Sequence, residues 1–124
     1  MDKRILIVDD EESIRVLFFE LLSTLPADCE TAETVDLAEG RLAEATFDLV
    51  VSDFAMPGRN GLDLLHIVRE RYPGTKFGIV TGSSGAAFMG DIRANKPDFL
   101  LVKPVDINTL LGTVREVLGM PQPE

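Results

Sequence analysis

The chain has 124 residues, 45% hydrophobic and 27% charged, with a formal net charge of −9. That is the profile of one soluble globular domain with room for its own core, not of a disordered chain. The excess of acids argues against direct nucleic-acid binding, which needs Lys and Arg clusters, and against anionic membrane surfaces, while it suits divalent cations.

The first residues, "MDKRILIVDD", run from basic to apolar and mimic a signal peptide. The apolar part is only Ile5 to Val8 and then meets four acids, so that reading fails. "ILIV" (5–8) reads as a buried strand. "ESIRVLFFELLSTL" (12–25) places Ile14, Leu17, Phe18, Leu21, Leu22 and Leu25 at helical spacing. "CETA" (29–32) is a short, weak strand. Its Cys29 is the single cysteine, which excludes an internal disulfide, fits a reducing cytoplasm and reads as a small buried hydrophobe. "VDLAEGRLAEA" (35–45) is a modest helix weakened by Gly40, and "FDLVVS" (47–52) a strong strand. "GLDLLHIVRERY" (61–72) is a helix stopped by Pro73-Gly74; its His66 reads as an ordinary packed or surface histidine, and Arg69-Glu70-Arg71 as a solvated helix end. "KFGIV" (76–80) is a strand, "AAFMGDIRAN" (86–95) a poor helix and "FLLV" (99–102) a strand. "DINTLLGTVREVL" (106–118) is a helix capped by Asp106, with Ile107, Leu110, Leu111, Val114, Val117 and Leu118 as its apolar face. No apolar run is long enough to span a membrane. The division expected is a domain over 1–119, with 120–124 ("MPQPE") as a tail or the start of a linker.

Five strand-then-helix units with strands apolar on both faces imply an α/β fold: a doubly wound, five-stranded parallel sheet between two helical layers, flavodoxin-like, in the order 2-1-3-4-5 with the weak second strand at an edge. Parallel strands bring their carboxyl ends to one rim, where such sheets bind ligands. Asp9 and Asp10 follow the first strand, Asp53 the third, Thr81 the fourth and Lys103 the fifth. Each has a bland reading: Asp9 and Asp10 as helix caps, Asp53 as a turn residue, Thr81 as a polar strand end, Lys103 as a solvated cation. Together they bring three carboxylates, a hydroxyl and an ammonium to one place. Close carboxylates repel unless a hard dication such as Mg²⁺ joins them; zinc is disfavoured because the cluster has no Cys or His. Asp53 could then act as a nucleophile, with Thr81 and Lys103 serving phosphoryl oxygens.

The stretches "ILIVDDEESIR", "DLVVSDFAMPGRNGLDLL", "GIVTGSS" and "LLVKPV" resemble, in order and separation, the receiver domain of two-component response regulators over roughly residues 4–118. The resemblance implies that Asp53 is the phosphoacceptor, that Asp9 and Asp10 hold Mg²⁺ (Mn²⁺ able to substitute) together with Asp53 and the backbone carbonyl of Ala55, that Thr81 is the switch hydroxyl, and that Lys103 pairs with the phosphoryl group. It implies a cis Lys103-Pro104 bond. It implies a sensor histidine kinase or histidine phosphotransfer protein as donor, a downstream effector domain or protein as target, a cytoplasmic setting, and no turnover beyond the domain's own phosphorylation and dephosphorylation. Pro57-Gly58 suits a type II turn with Gly at the positive-φ position. Ala55 and Ser83 are expected to shape water access to the phosphate, and Ser83 and Ser84 otherwise read as loop residues. Three departures stand out. Leu100 occupies the position of the family's aromatic switch residue, and Phe99 beside it faces the other side of the sheet. Gly82 replaces the commoner alanine. The glycine-rich "GSSGAAFMGDIRANKP" predicts a fourth helix that is short, shifted or mobile. A phosphatase of the haloacid-dehalogenase type would need a second aspartate where Ala55 stands, and a pseudo-receiver would bind without being phosphorylated.

Overall fold

A computed structural model describes residues 2–122. The strands are β1 (Lys3–Val8), β2 (Ala27–Ala32), β3 (Leu49–Asp53), β4 (Lys76–Thr81) and β5 (Phe99–Val102). The helices are α1 (Glu12–Leu22), α2 (Val35–Glu44), α3 (Gly61–Arg71), α4 (Met89–Ala94) and α5 (Ile107–Val117). All strand pairs are parallel and the order is β2-β1-β3-β4-β5, as expected.

Because strand residues alternate between faces, each strand feeds two cores. Leu6, Val8, Val50, Phe77 and Ile79 pack with Val35, Ala38 and Leu42 of α2, Leu64, Leu65 and Val68 of α3, and Ile92 of α4. Ile5, Ile7, Leu49, Val51, Val80 and Phe99 pack with Phe18 and Leu22 of α1 and Leu110, Val114 and Leu118 at α5. The starts of α2, α3 and α5 are set by side-chain acceptors for free amides. Thr34 caps α2, Asn60 and Asp63 form a capping box on α3, and Asp106 accepts from the Thr109 amide at 2.9 Å.

Several boundaries differ from the sequence expectation. Helix α1 ends at Leu22, not Leu25; Leu25 precedes Pro26, and a residue before proline is disfavoured in helical geometry. Leu17 and Ile107, expected on apolar faces, are exposed. Strand β2 starts at Ala27, because its register with β1 extends to Lys3↔Ala27. The expected helix 86–95 is a 3₁₀ segment, Ser83–Phe88, followed by the short α4, of which Ile92 is the buried anchor. The arginines closing α3 are not merely solvated: Arg69 donates to the carbonyls of Asn95 and Lys96, and Arg71 pairs with Glu39 at 3.2 Å. His66 is exposed on α3. Met120 packs against the α1/α5 core and Gln122 Nε2 donates to the Gly112 carbonyl; the rest of the expected tail, positions 123 and 124, lies outside the described residues, as does the Ser84 side chain.

Phe99 and Leu100 do face opposite sides. Phe99 joins the α1/α5 core, whereas Leu100 packs on the α2/α3/α4 side. The Phe99 ring lies flat on Gly78 of β4, where an added Cβ would meet ring atoms at 2.1, 2.2 and 2.4 Å. Gly78→Ala therefore overpacks the sheet and lowers unfolding stability by about 3 kcal/mol, measured by urea denaturation. Adding Phe99→Leu restores part of that loss; an unaffected Gly78→Ala variant would contradict this packing.

Candidate functional site

Backbone pairing holds the strand tips in register at the carboxyl rim. The Asp9 amide donates to the Ala32 carbonyl at 3.2 Å, extending β1 alongside β2. The Lys103 amide donates to the Thr81 carbonyl at 2.7 Å, tying the end of β5 to the end of β4. Asp53 closes β3, and the helix that follows starts against it: the Gly61 amide donates to the Phe54 carbonyl at 2.8 Å, and a Cβ on Gly61 would lie 2.6 Å from the Asp53 carbonyl oxygen. That contact explains the last glycine of the "DFAMPGRNG" stretch. Gly58 serves the turn itself, with φ 79. The Lys103-Pro104 bond is cis.

Asp9, Asp10 and Asp53 each offer a carboxylate oxygen, all within 4.8 Å of one another. Asp9 and Asp53 are buried, at 3% and 7% exposure, and Asp10 faces solvent. Asp9 does not cap α1, whose cap position is Glu11. Instead its Oδ1 accepts from the Glu11 amide at 2.9 Å and its Oδ2 from Lys103 Nζ at 3.0 Å. Lys103 Nζ also stands 3.5 Å from Asp53 Oδ2, so one ammonium bridges the two buried carboxylates. Arg15 Nη1 donates to the Asp9 carbonyl at 2.9 Å and pins that residue from α1. Sequence reasoning missed Arg15, although its place one turn beyond Glu11 in "DDEESIR" aims it back at the strand tip.

The remaining expected residues are less engaged. Ala55 is half-buried in the loop past Asp53, packed against the α2/α3/α4 core. Thr81 is fully buried, and its hydroxyl donates weakly to the Gly82 carbonyl at 3.4 Å; among the described residues it makes no hydrogen bond to Asp53. Ser83 is exposed. A groove lined by Ile14, Leu17, Gly82, Ser83 and Pro104 opens beside Lys103.

The donor set decides what ion could bind. Three carboxylates with no sulfur or imidazole among them are hard oxygen ligands, which fit Mg²⁺. The electrostatics of the site point the same way. Burial pushes the Asp53 carboxyl up to about 6, helped by the charge of Asp9 and opposed by Lys103. Burial pulls Lys103 down, but its hydrogen bond to Asp9 and the charges of Asp53, Asp9 and Glu11 outweigh that and hold it above the ordinary lysine value. The site thus has more negative charge than its single ammonium neutralises.

Residues 5–115 match the family model of the response regulator receiver domain. The chain belongs to the response regulator receiver family. The response regulator protein PilR of Pseudomonas aeruginosa is 36% identical over 124 residues, covering 98% of this chain and 27% of that protein. The sensor kinase CckA of Brucella abortus is 31% identical over 118 residues, covering 92% of this chain and 12% of that protein. The chain therefore spans about a quarter or less of these relatives' lengths. The crystal structure of response regulator protein TrrA from Thermotoga maritima, in complex with Mg(2+)-BeF, superposes with a TM-score of 0.83 at 30% identity, covering 93% of this chain and 98% of that one. This receiver domain is a signalling module of two-component systems, with an acidic cluster at the rim where its family is phosphorylated.

The raised carboxyl of Asp53 makes stability depend on pH. A folded value of about 6 against an ordinary 3.8 means its contribution is fully present below about pH 4 and lost as pH rises through about 6. In metal-free buffer Asp53→Asn should thus stabilise the receiver by about 1–2 kcal/mol at neutral pH and have little effect near pH 4. Urea denaturation at the two pH values measures this; equal gains at both would show that charge is not the cause.

Proposed function

We propose that Asp53 accepts a phosphoryl group from a phosphohistidine of a sensor histidine kinase or histidine phosphotransfer protein. The observation that carries this is the acidic trio gathered within 4.8 Å, with Lys103 Nζ at 3.0 and 3.5 Å from its two buried members. An Asp53 carboxylate oxygen attacks phosphorus, the P–N bond to the donor imidazole breaks, and its electron pair leaves with the imidazole. Asp9, Asp10, Asp53 and the Ala55 carbonyl would hold Mg²⁺, or Mn²⁺ by the same oxygen-donor chemistry; bound there, the ion neutralises the carboxylates and the developing phosphoryl charge.

Lys103 already stands between Asp9 and Asp53, so a modest shift of its ammonium meets an incoming phosphoryl oxygen. Thr81 supplies a hydroxyl to another such oxygen once it turns from its present position. The product adds negative charge at the rim, and the segments after β3 and β4 carry that change outward. Hydrolysis of the acyl phosphate resets the domain, and the chain catalyses no other turnover. The receiver domain spans 1–119, with 120–124 as a tail or the start of a linker, and passes its signal to an effector domain or protein in the cytoplasm.

Incubation with Mg²⁺ and acetyl phosphate tests the reaction class. A receiver gains one phosphoryl group per chain and releases phosphate only as slowly as that group turns over. Continuous, rapid phosphate release would indicate a phosphatase. No mass gain would indicate a binding module of the same fold.

A further inference from the structure

Gly85 lies in the 3₁₀ segment that replaces the first turns of a longer fourth helix. Its backbone is not left-handed, since the positive-φ glycines are Gly58 and Gly119. What demands a glycine there is space. A Cβ on Gly85 would lie 1.8 Å from Thr81 Oγ1, 3.1 Å from Thr81 Cβ and 3.4 Å from Phe54 Cδ2. The Thr81 hydroxyl therefore occupies the volume that any other residue at 85 would fill. Among the described residues no strong bond holds it there: its acceptor, the Gly82 carbonyl, is 3.4 Å away and already takes the Gly85 amide at 3.1 Å. Shape, more than hydrogen bonding, fixes this rotamer.

We infer that Gly85 is a positioning residue for the phosphorylation reaction: the gap left by its missing side chain seats the Thr81 hydroxyl in the resting state, and emptying that seat commits the hydroxyl to the phosphoryl group. The inference rests on the reading of Asp53 as phosphoacceptor. Threonine moves between discrete staggered rotamers, so the hydroxyl is either in the seat or out of it. When it leaves, the 3₁₀ segment loses the contact that registers it on β4 and can settle inward. The movement has an outlet. Phe54, which follows Asp53 and borders the same gap, packs tilted by 37° at 5.0 Å between centroids against Phe88, which is 45% exposed. An aromatic pair at the surface end of this segment thus reports on Thr81 in a chain where Leu100 offers no ring on β5.

Gly85→Ala tests this by filling the seat. In the free variant, three-bond couplings to Thr81 Cγ2 should show the rotamer that the wild type adopts only with beryllofluoride and Mg²⁺, and the Phe88 amide should shift the same way. Beryllofluoride, followed by fluorine NMR, should bind roughly fivefold to tenfold tighter, because the resting state alone is penalised. In a Thr81→Ala background the substitution at 85 should bring no gain, since no hydroxyl is left to expel. Unchanged Thr81 couplings in Gly85→Ala, or an affinity gain that survives Thr81→Ala, would overturn the inference. If Gly85→Ala does not fold, the wild type decides: Thr81 couplings that stay the same on saturation with beryllofluoride overturn it, and a switch out of the seat supports it. A wild type that takes up no beryllofluoride at Asp53 would instead sink the phosphoacceptor reading itself.

Discussion

Lys103→Ala is expected to leave the fold in place and to lower the rate at which acetyl phosphate modifies Asp53 by roughly 10²–10³-fold near neutral pH, the usual loss on removing one preorganised electrostatic donor. The ammonium is largely shielded and lies 3.0 Å from Asp9 and 3.5 Å from Asp53. Its removal acts twice. The incoming phosphoryl oxygens lose a cation, and Asp53 loses one of the influences that hold its carboxyl down against burial and the charge of Asp9. The variant's rate in limiting Mg²⁺ should consequently fall more steeply with acid than the wild type's. Lys103→Arg should not restore the rate in full, because a planar fork cannot replace a compact ammonium between two carboxylates. Single-turnover phosphorylation followed by intact mass measures all three rates. A Lys103→Ala rate within a few-fold of wild type would remove Lys103 from the reaction.

Asp10→Ala should remove most of the stabilising response to Mg²⁺. For the wild type, Mg²⁺ at a hundred times its dissociation constant should add about 2.7 kcal/mol to unfolding stability. At the same concentration Asp10→Ala should gain less than a third of that. Asp10 is the exposed member of the trio, so replacing it removes no packed atoms, and in metal-free buffer the variant should be at least as stable as wild type because one like charge has gone. That opposite behaviour with and without the ion separates a metal ligand from a structural residue. Urea denaturation in EDTA and in Mg²⁺ provides both readings; a variant that still gains the full increment would show that Asp10 is not a ligand.

Much of this architecture is legible in the sequence because burial on both faces leaves unambiguous apolar runs such as "ILIV" and "FDLVVS", and their alternation with helices fixes a parallel sheet. The rim followed from reading the residue after each run, and Asp9, Asp10, Asp53 and Lys103 are gathered there. What could not be read are contacts with no periodicity behind them. Gly78 accommodates the ring of Phe99 from another strand, Arg15 reaches a main-chain carbonyl, and Gly85 yields space to Thr81. Local propensity judged "AAFMGDIRAN" a poor helix but could not divide it between a 3₁₀ turn and α4, since that division depends on where Gly85 and Ile92 find their seats. Helical periodicity likewise assigned Leu17 and Ile107 to apolar faces, yet Leu17, in the middle of α1, and Ile107, the first residue of α5, are both exposed.

The most direct trial of the whole account is peptide mapping of the acetyl-phosphate-treated chain after reductive trapping of its acyl phosphate. Phosphotransfer to this rim should give a single modified site, Asp53, formed with Mg²⁺, lost when EDTA is present from the start, and missing from Asp53→Ala. Label on another residue, or equal labelling of Asp53→Ala, would contradict it.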